Sequence, residues 1–276
     1  MNRRLMLYPG CVVLSRFPRY EAVSRKILAS LGLEIYPVQE FCCCGASLGP
    51  GVLENWIHLP AYTLAQAERN GLDVMTLCGG CTNTFRRAQE SLDRNPVLLD
   101  RVNRTLEGMG LSYSGVARVK HLIDVLDEYL PRDDHWVMGD AGCAVALSPP
   151  CQVSRPRRLY ENRGDTWQGM RQIVERMAIP IVDYPLENEC CGATLLTVDR
   201  SMAIRAGSSK LRSAMTHGAD TLCVACGNCL LLFERYQKRM GLGKQISVVT
   251  LAELVGRAMG IDCETGNEAR EGLARH

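Results

Sequence analysis

The chain of 276 residues, 46% of them apolar and 22% charged, is long enough to form one large or two medium-sized hydrophobic cores. Its net charge of +2 gives no support for a nucleic-acid-binding protein or for a basic membrane-binding surface. Its fourteen cysteines are unusual, because a chain of this size does not need disulfide bonds for stability.

The N-terminal segment predicts a cytoplasmic protein. Residues 1–16 combine basic residues with a short apolar run, but Pro9 and Gly10 interrupt the run and no small-residue cleavage site follows it. No apolar stretch of the chain approaches the roughly 20 residues that a membrane-spanning helix needs. We therefore expect no direct membrane insertion, and cysteines that are reduced or bind a metal.

Short apolar segments alternate with helical patterns through the first half. The segments "RLMLY" (4–8) and "VMTL" (74–77) are typical of buried parallel strands. Patterns of helical period follow at 19–32, 60–71 and 82–94. This alternation predicts an α/β fold with a small parallel sheet and flanking helices.

The second half repeats the first. The segment "GLEIYPVQEFCCCGASL" (32–48) matches "AIPIVDYPLENECCGATL" (178–195), and both contain Cys-Cys-Gly-Ala-x-Leu. A lone cysteine after a strand precedes each of these segments, and a strand that ends in Cys-x-x-Cys follows each. We interpret the chain as a pseudo-symmetric tandem repeat, with a first domain at 1–137 and a second at 138–276.

The repeat divides the cysteines into matched and unmatched ones. The matched cysteines of the first half are Cys11, Cys43, Cys44, Cys78 and Cys81. Their counterparts in the second half are Cys151, Cys190, Cys191, Cys226 and Cys229. The cysteines without a counterpart, which we expect to be small buried apolar residues, are Cys42, Cys143, Cys223 and Cys263.

The matched cysteines of each half are predicted to gather at one site. Each cysteine element follows a strand, and the loops at the carboxyl ends of parallel strands converge. The Cys-x-x-Cys pairs are predicted to open helices, where the positive helix end favours the thiolate.

The cysteine spacing is compatible with several kinds of metal or redox site. A structural zinc site takes four ligands, usually from two Cys-x-x-Cys pairs, and a redox-active pair needs only one such motif. "CVACGNC" (223–229) has ferredoxin-like spacing, but no Cys-Pro completes the run. Five thiolates in each half fit best an iron–sulfur cluster that needs more ligands than a cubane.

The doubled motif resembles the CCG-domain proteins, in particular the heterodisulfide reductase B subunits and the related B subunits of sulfur oxidation. The resemblance extends from Cys11 to "VVTLAELVG" (248–256). It implies that each half binds a noncubane [4Fe-4S] cluster through its five matched cysteines. One cluster together with a structural zinc is the alternative.

The resemblance also implies a function and partners. It implies that the chain is the catalytic iron–sulfur subunit of an oxidoreductase that acts on sulfur groups. In the implied mechanism the disulfide binds between the two clusters, and each of its sulfurs is held transiently on an iron. The chain has no nucleotide-binding fingerprint, so the implied electron donors are a C-type subunit with cubane [4Fe-4S] clusters and a flavin-containing A-type subunit. The substrate would be a small-molecule or protein-bound disulfide or sulfur carrier.

Two features bear on the choice of substrate. The chain has 27 arginines and 5 lysines, which is more typical of a bacterial than of a methanogen protein and favours the sulfur-oxidation branch. Gln152 stands where the family commonly has histidine, a difference that bears on proton delivery or substrate contact at the second site and leaves the substrate open. The sequence also leaves the reaction direction open.

Two other classes of protein are also considered. A non-catalytic electron-transfer subunit of a flavin-linked dehydrogenase or respiratory complex is the first alternative, and a structural zinc protein is the second. The histidines, which are expected to be structural or on the surface, are His58, His121, His135, His217 and His276.

Overall fold

Two parallel β-sheets organise the chain in a computed structural model, which describes residues 3–46, 55–132, 144–154 and 166–263. Each sheet has four strands. The strands of the first sheet are β1 (Arg4–Tyr8), β2 (Glu34–Pro37), β3 (Asp73–Thr76) and β4 (Val119–His121). Those of the second sheet are β5 (Val145–Ser148), β6 (Ile181–Val182), β7 (Thr221–Val224) and β8 (Ser247–Thr250).

The two sheets have the same topology. The first has the strand order β2-β1-β3-β4 and the second has the order β6-β5-β7-β8, with all neighbouring strands parallel. The registers correspond as well, since Leu5 pairs with Asp73 in the first sheet and Val145 pairs with Thr221 in the second. The predicted α/β fold with two pseudo-symmetric halves is therefore confirmed.

Helices cover both sheets. Those of the first half are α1 (Cys11–Arg16), α2 (Pro18–Ser30), α3 (His58–Arg69), α4 (Gly79–Arg94), α5 (Pro96–Glu107) and α6 (Leu122–Tyr129). Those of the second half are α7 (Thr166–Arg176), α8 (Arg200–Thr216), α9 (Gly227–Arg235) and α10 (Leu251–Ala258). The three helices predicted in the first half correspond to α2, α3 and α4.

The central strands are buried on both faces, because helices pack against each side of the sheets. Leu5, Met6 and Leu7 of β1 are almost fully buried, as are Leu222 and Val224 of β7. This burial explains why these strands appear in the sequence as continuous apolar runs without alternating polar residues.

The last helix of each half begins with the same type of cap. His121 caps α6 and Thr250 caps α10, and in both cases an acidic residue three positions later closes a capping box. The acidic residue of α10, Glu253, also pairs with Arg19 of α2. This ion pair links the two halves of the chain.

The halves share one hydrophobic core. Helix α2 of the first half packs against α10 of the second, and α6 packs against α7. The predicted boundary between residues 137 and 138 lies outside the described residues, so the division into two domains stays a prediction. Within the described part of the chain, no helix has the length and apolar composition needed to cross a membrane.

Candidate metal centres

The matched cysteines lie at the carboxyl ends of the central strands. Cys11 opens α1 just after β1, and Cys78 caps α4 just after β3. In the second half Cys151 follows β5, and Cys226 caps α9 after β7. The predicted placement of the Cys-x-x-Cys pairs at helix N-termini is confirmed.

The first set of cysteines forms a chain of sulfur contacts. The Sγ atoms of Cys44 and Cys81 are 3.4 Å apart. Cys43 is hydrogen-bonded to both Cys11 and Cys44, and Cys78 is hydrogen-bonded to Cys81. The structure thus brings all five matched cysteines of the first half together.

The second set repeats this arrangement. The Sγ atoms of Cys191 and Cys229 are 3.1 Å apart. Cys190 is hydrogen-bonded to Cys151 and Cys191, and Cys226 is hydrogen-bonded to Cys229. The five matched cysteines of the second half are therefore also together.

The glycine of each Cys-Cys-Gly motif has a backbone role. Gly45 and Gly192 have φ values of 78° and 87°, in the left-handed region that favours glycine. In this conformation the Gly45 N–H donates to Cys43 Sγ at 3.4 Å, and the Gly192 N–H donates to Cys190 Sγ at 3.4 Å. Backbone donors of this type stabilise thiolate ligands.

The two sets contact each other. Cys78 Sγ of the first set lies 3.7 Å from Cys226 Sγ of the second. Gly79 and Gly227, the residues that follow these cysteines, permit this approach. A Cβ atom added to Gly79 would lie 2.9 Å from Pro150, and one added to Gly227 would lie 2.7 Å from Val13.

The pKa values of the two Cys-Cys pairs follow the same pattern. The pKa of Cys43 lies far below its ordinary value, because Cys11 and Cys44 donate hydrogen bonds to its sulfur. Hydrogen bonds with Cys151 and Cys191 lower the pKa of Cys190 in the same way. In each Cys-Cys pair the pKa of the first cysteine is lowered and that of the second is raised.

The described cysteines fit a cluster held by several thiolates. All thirteen are free, and neither Cys78 nor Cys226 uses its side chain to cap its helix. Among the described residues, no group of three or more His, Cys, Asp or Glu side chains is arranged to hold a single metal ion. The donor set is five sulfurs per half with backbone N–H groups directed at them, which suits an iron–sulfur cluster.

The unmatched cysteines differ from one another in burial. Cys223 on β7 is fully buried and Cys263 is buried, as predicted. Cys42 is only half-buried, so the prediction was wrong for this residue. The Tyr8 hydroxyl holds the Cys42 carbonyl at 2.7 Å, so the loop is anchored through its backbone and leaves this side chain partly outside the core. Cys143 lies outside the described residues.

The described histidines have structural or surface positions. His121 is fully buried as the cap of α6. His217 is exposed and His58 is half-buried. His135 and His276 lie outside the described residues.

Two polar residues beside the cysteines were not assigned a role from the sequence. Lys210 of α8 is 1% exposed, and its Nζ donates to the carbonyls of Glu187 and Glu189 at 2.7 Å each. Asn228 lies at the junction of the two sets. A Cβ atom added to Gly80 would lie 3.2 Å from both Asn228 Nδ2 and Gln152 Oε1.

The fold and the doubled cysteine motif define a family. The chain belongs to the CCG family of cysteine-rich domains, whose family model matches residues 5–86 and 145–234. The predicted family is confirmed.

Several known proteins are similar to the chain over most of its length. It is 28% identical, over 272 residues, to the B subunit of a ferredoxin/F(420)H(2)-dependent CoB-CoM heterodisulfide reductase from Methanosarcina acetivorans, covering 93% of this chain and 89% of that protein. It is 26% identical, over 269 residues, to the membrane anchor subunit of an 8-methylmenaquinol:fumarate reductase from Wolinella succinogenes, covering 95% of this chain and 94% of that protein.

A crystal structure shares the fold. A hypothetical protein from Helicobacter pylori superposes with a TM-score of 0.76 at 18% sequence identity. The superposition covers 100% of this chain and 52% of that one, so the chain spans about half the length of that protein.

Proposed function

We propose that this chain is the catalytic iron–sulfur subunit of a multisubunit reductase similar to heterodisulfide reductase. Its substrate would be a disulfide, thiol or sulfane-sulfur group, carried by a small molecule or by a protein. The observation that carries this proposal is the 3.7 Å separation between Cys78 Sγ and Cys226 Sγ, because it joins the two cysteine sets into one site.

The proposed cofactors are two noncubane [4Fe-4S] clusters. The ligands of the first would be Cys11, Cys43, Cys44, Cys78 and Cys81. The ligands of the second would be Cys151, Cys190, Cys191, Cys226 and Cys229. Reduction of a disulfide takes two electrons and two protons and gives two thiols. When bound, each cluster would supply one of the two electrons.

Each cysteine set has at least one exposed thiol. Cys11, Cys43 and Cys190 are exposed, whereas Cys78 and Cys226 are buried. A substrate would therefore reach the site through the exposed thiols. The contact between Cys78 and Cys226 is buried.

Gln152 and Asn228 suit substrate orientation. Both are carboxamides at the junction of the two sets, and carboxamides donate and accept hydrogen bonds without titrating near neutral pH. Gln152 therefore cannot replace a histidine as a proton donor. The two protons consumed in the reaction would come from solvent at the exposed thiols.

Electrons would come from partner subunits. We propose a C-type subunit with cubane clusters and a flavin-containing A-type subunit, as the family resemblance implies. The names of the relatives support membership in a complex, since both describe one component of a larger reductase.

A second candidate function is electron transfer without disulfide chemistry. The similarity to the membrane anchor subunit of a fumarate reductase favours it. In that case both cysteine sets would relay electrons, and the chain alone would not turn over a disulfide.

Removing one cysteine of the second set distinguishes disulfide reduction from electron transfer alone. Anaerobically prepared protein is assayed for disulfide reduction with a chemically reduced viologen as the electron donor. We expect wild-type protein and Cys42→Ser, as the control, to turn over. We expect Cys151→Ala to lose activity by orders of magnitude while the paramagnetic signal of the first set remains, because groups that act as one unit are not additive.

Two results would contradict the catalytic proposal. Half-maximal turnover by Cys151→Ala would show that the first set works alone. Wild-type protein that accepts electrons but never reduces a disulfide would be an electron-transfer subunit.

A further inference from the structure

Lys210 carries a buried charge that is hydrogen-bonded only to main-chain oxygens. It is 1% exposed, and its Nζ donates only to main-chain oxygens, those of Glu187 and Glu189. Among the described residues Lys210 forms no ion pair, since the Glu187 carboxylate pairs instead with Arg171 at 2.8 Å. A buried ammonium group is costly unless negative charge compensates it.

The first half performs the same structural task without a charge. There the Gln66 side-chain amide donates to the carbonyl of Glu40 at 3.2 Å. Glu40 and Glu187 occupy matching positions, each three residues before the first cysteine of its Cys-Cys pair. The helix position that matches Lys210 is occupied by the buried Thr63. Holding this loop therefore does not require a lysine.

The negative charges around Lys210 are the Glu187 carboxylate, whose burial-raised pKa Lys210 lowers, and the second cysteine set. The loop that Lys210 holds leads directly into Cys190. Burial lowers the pKa of Lys210, and negative charge on the nearby cysteines opposes this effect. These cysteines are Cys229, Cys191, Cys151 and Cys190. The ammonium group is thus within electrostatic reach of four of the five ligands proposed for the second cluster.

We propose that Lys210 makes the two iron–sulfur sites unequal, so that the second site has the higher reduction potential and accepts the first electron. This inference rests on the proposed function. Adding one electron to a site adds one negative charge, and a fixed positive charge in a buried setting stabilises the charged product. The electron comes from the external donor of the complex. The first site has the neutral Gln66 and Thr63 in place of this charge and is reduced at lower potential.

A redox titration of the loaded protein tests this inference. The paramagnetic signals are followed against potential, and the Cys151→Ala variant identifies which signal belongs to the second site. In Lys210→Gln we expect the equilibrium constant for reduction of the second site to fall at least tenfold. This corresponds to a reduction potential that is lower by about 59 mV for one electron. The signal of the first site should move much less.

Two control variants define the role of the charge. Lys210→Arg keeps the positive charge and should retain most of the difference between the two sites. Lys238→Gln removes an exposed lysine and should leave both potentials unchanged.

A reciprocal variant keeps the inference testable if Lys210→Gln loses iron. Gln66→Lys places an ammonium group beside the Glu40 carbonyl, and we expect the first site to become at least tenfold easier to reduce. Unchanged potentials in both Lys210→Gln and Gln66→Lys, or equal shifts of both sites in Lys210→Gln, would overturn the inference. Neither result bears on the proposed function. That proposal fails, and this inference with it, if wild-type protein binds no iron.

Discussion

The contact between the two cysteine sets depends on a glycine at the start of α9. Gly227 follows Cys226 and lies against Val13 of α1, the helix that Cys11 opens. If this close approach holds the two sets together, Gly227→Ala should destabilise the protein and separate the sets.

The structure gives the size of the effect. The added Cβ would lie 2.7 Å from Val13 Cγ2, whereas carbon atoms in contact prefer about 3.5–4.0 Å. Val13 is fully buried, so α1 and α9 must move apart by about 1 Å. Overpacking of this kind costs about 1–3 kcal/mol.

Denaturant unfolding under reducing conditions measures this cost. We expect a lower midpoint for Gly227→Ala at an unchanged slope. The matched control is Gly108→Ala at the end of α5, where the added Cβ would meet only the Thr105 carbonyl oxygen at 3.6 Å. That variant should be as stable as the wild type or slightly more stable. Equal midpoints for Gly227→Ala and wild type would refute this account of the contact.

Two further predictions concern single residues of the first half. Cys42→Ser should keep the iron content of the wild type, whereas Cys43→Ser should lose the first cluster. The reverse result, measured by iron analysis, would show that the alignment of the three consecutive cysteines is wrong by one residue. The second prediction concerns His121, because burial lowers its pKa from 6.5 to about 4. As the pH falls between these values, the unfolded chain binds a proton that the folded protein does not. The free energy of unfolding should therefore decrease over this range by up to about 3 kcal/mol. His121→Thr keeps a helix cap like that of Thr250, and its free energy of unfolding should no longer decrease as the pH falls over this range. If the variant shows the same pH slope as the wild type, another group is responsible for the pH dependence.

The sequence contained enough information to predict the two cysteine sets. Each matched cysteine follows a strand of a parallel sheet, and the carboxyl ends of such strands converge regardless of their separation in the chain. The repeat then showed that Cys43 and Cys44, rather than Cys42, correspond to the pair in the second half. These predictions depend only on local patterns and on the topology of a parallel sheet.

The contact between the sets could not be predicted from these patterns. It depends on α9 of one half packing against α1 of the other, and the sequence shows the glycines but not their partners. Lys210 was missed for a related reason. It lies on α8, far in sequence from the loop it holds, and only the packed structure shows that it anchors the segment before Cys190. The partial exposure of Cys42 likewise goes with a tertiary hydrogen bond, from the Tyr8 hydroxyl to the Cys42 carbonyl.

The central claim is that both halves hold an iron–sulfur cluster, and metal and sulfide analysis of anaerobically prepared protein tests it most directly. Two four-iron clusters predict about eight iron atoms and about eight acid-labile sulfides per chain. About four iron atoms together with one zinc would contradict the account, because the second half would then be a structural site and the two sets could not share one two-electron reaction.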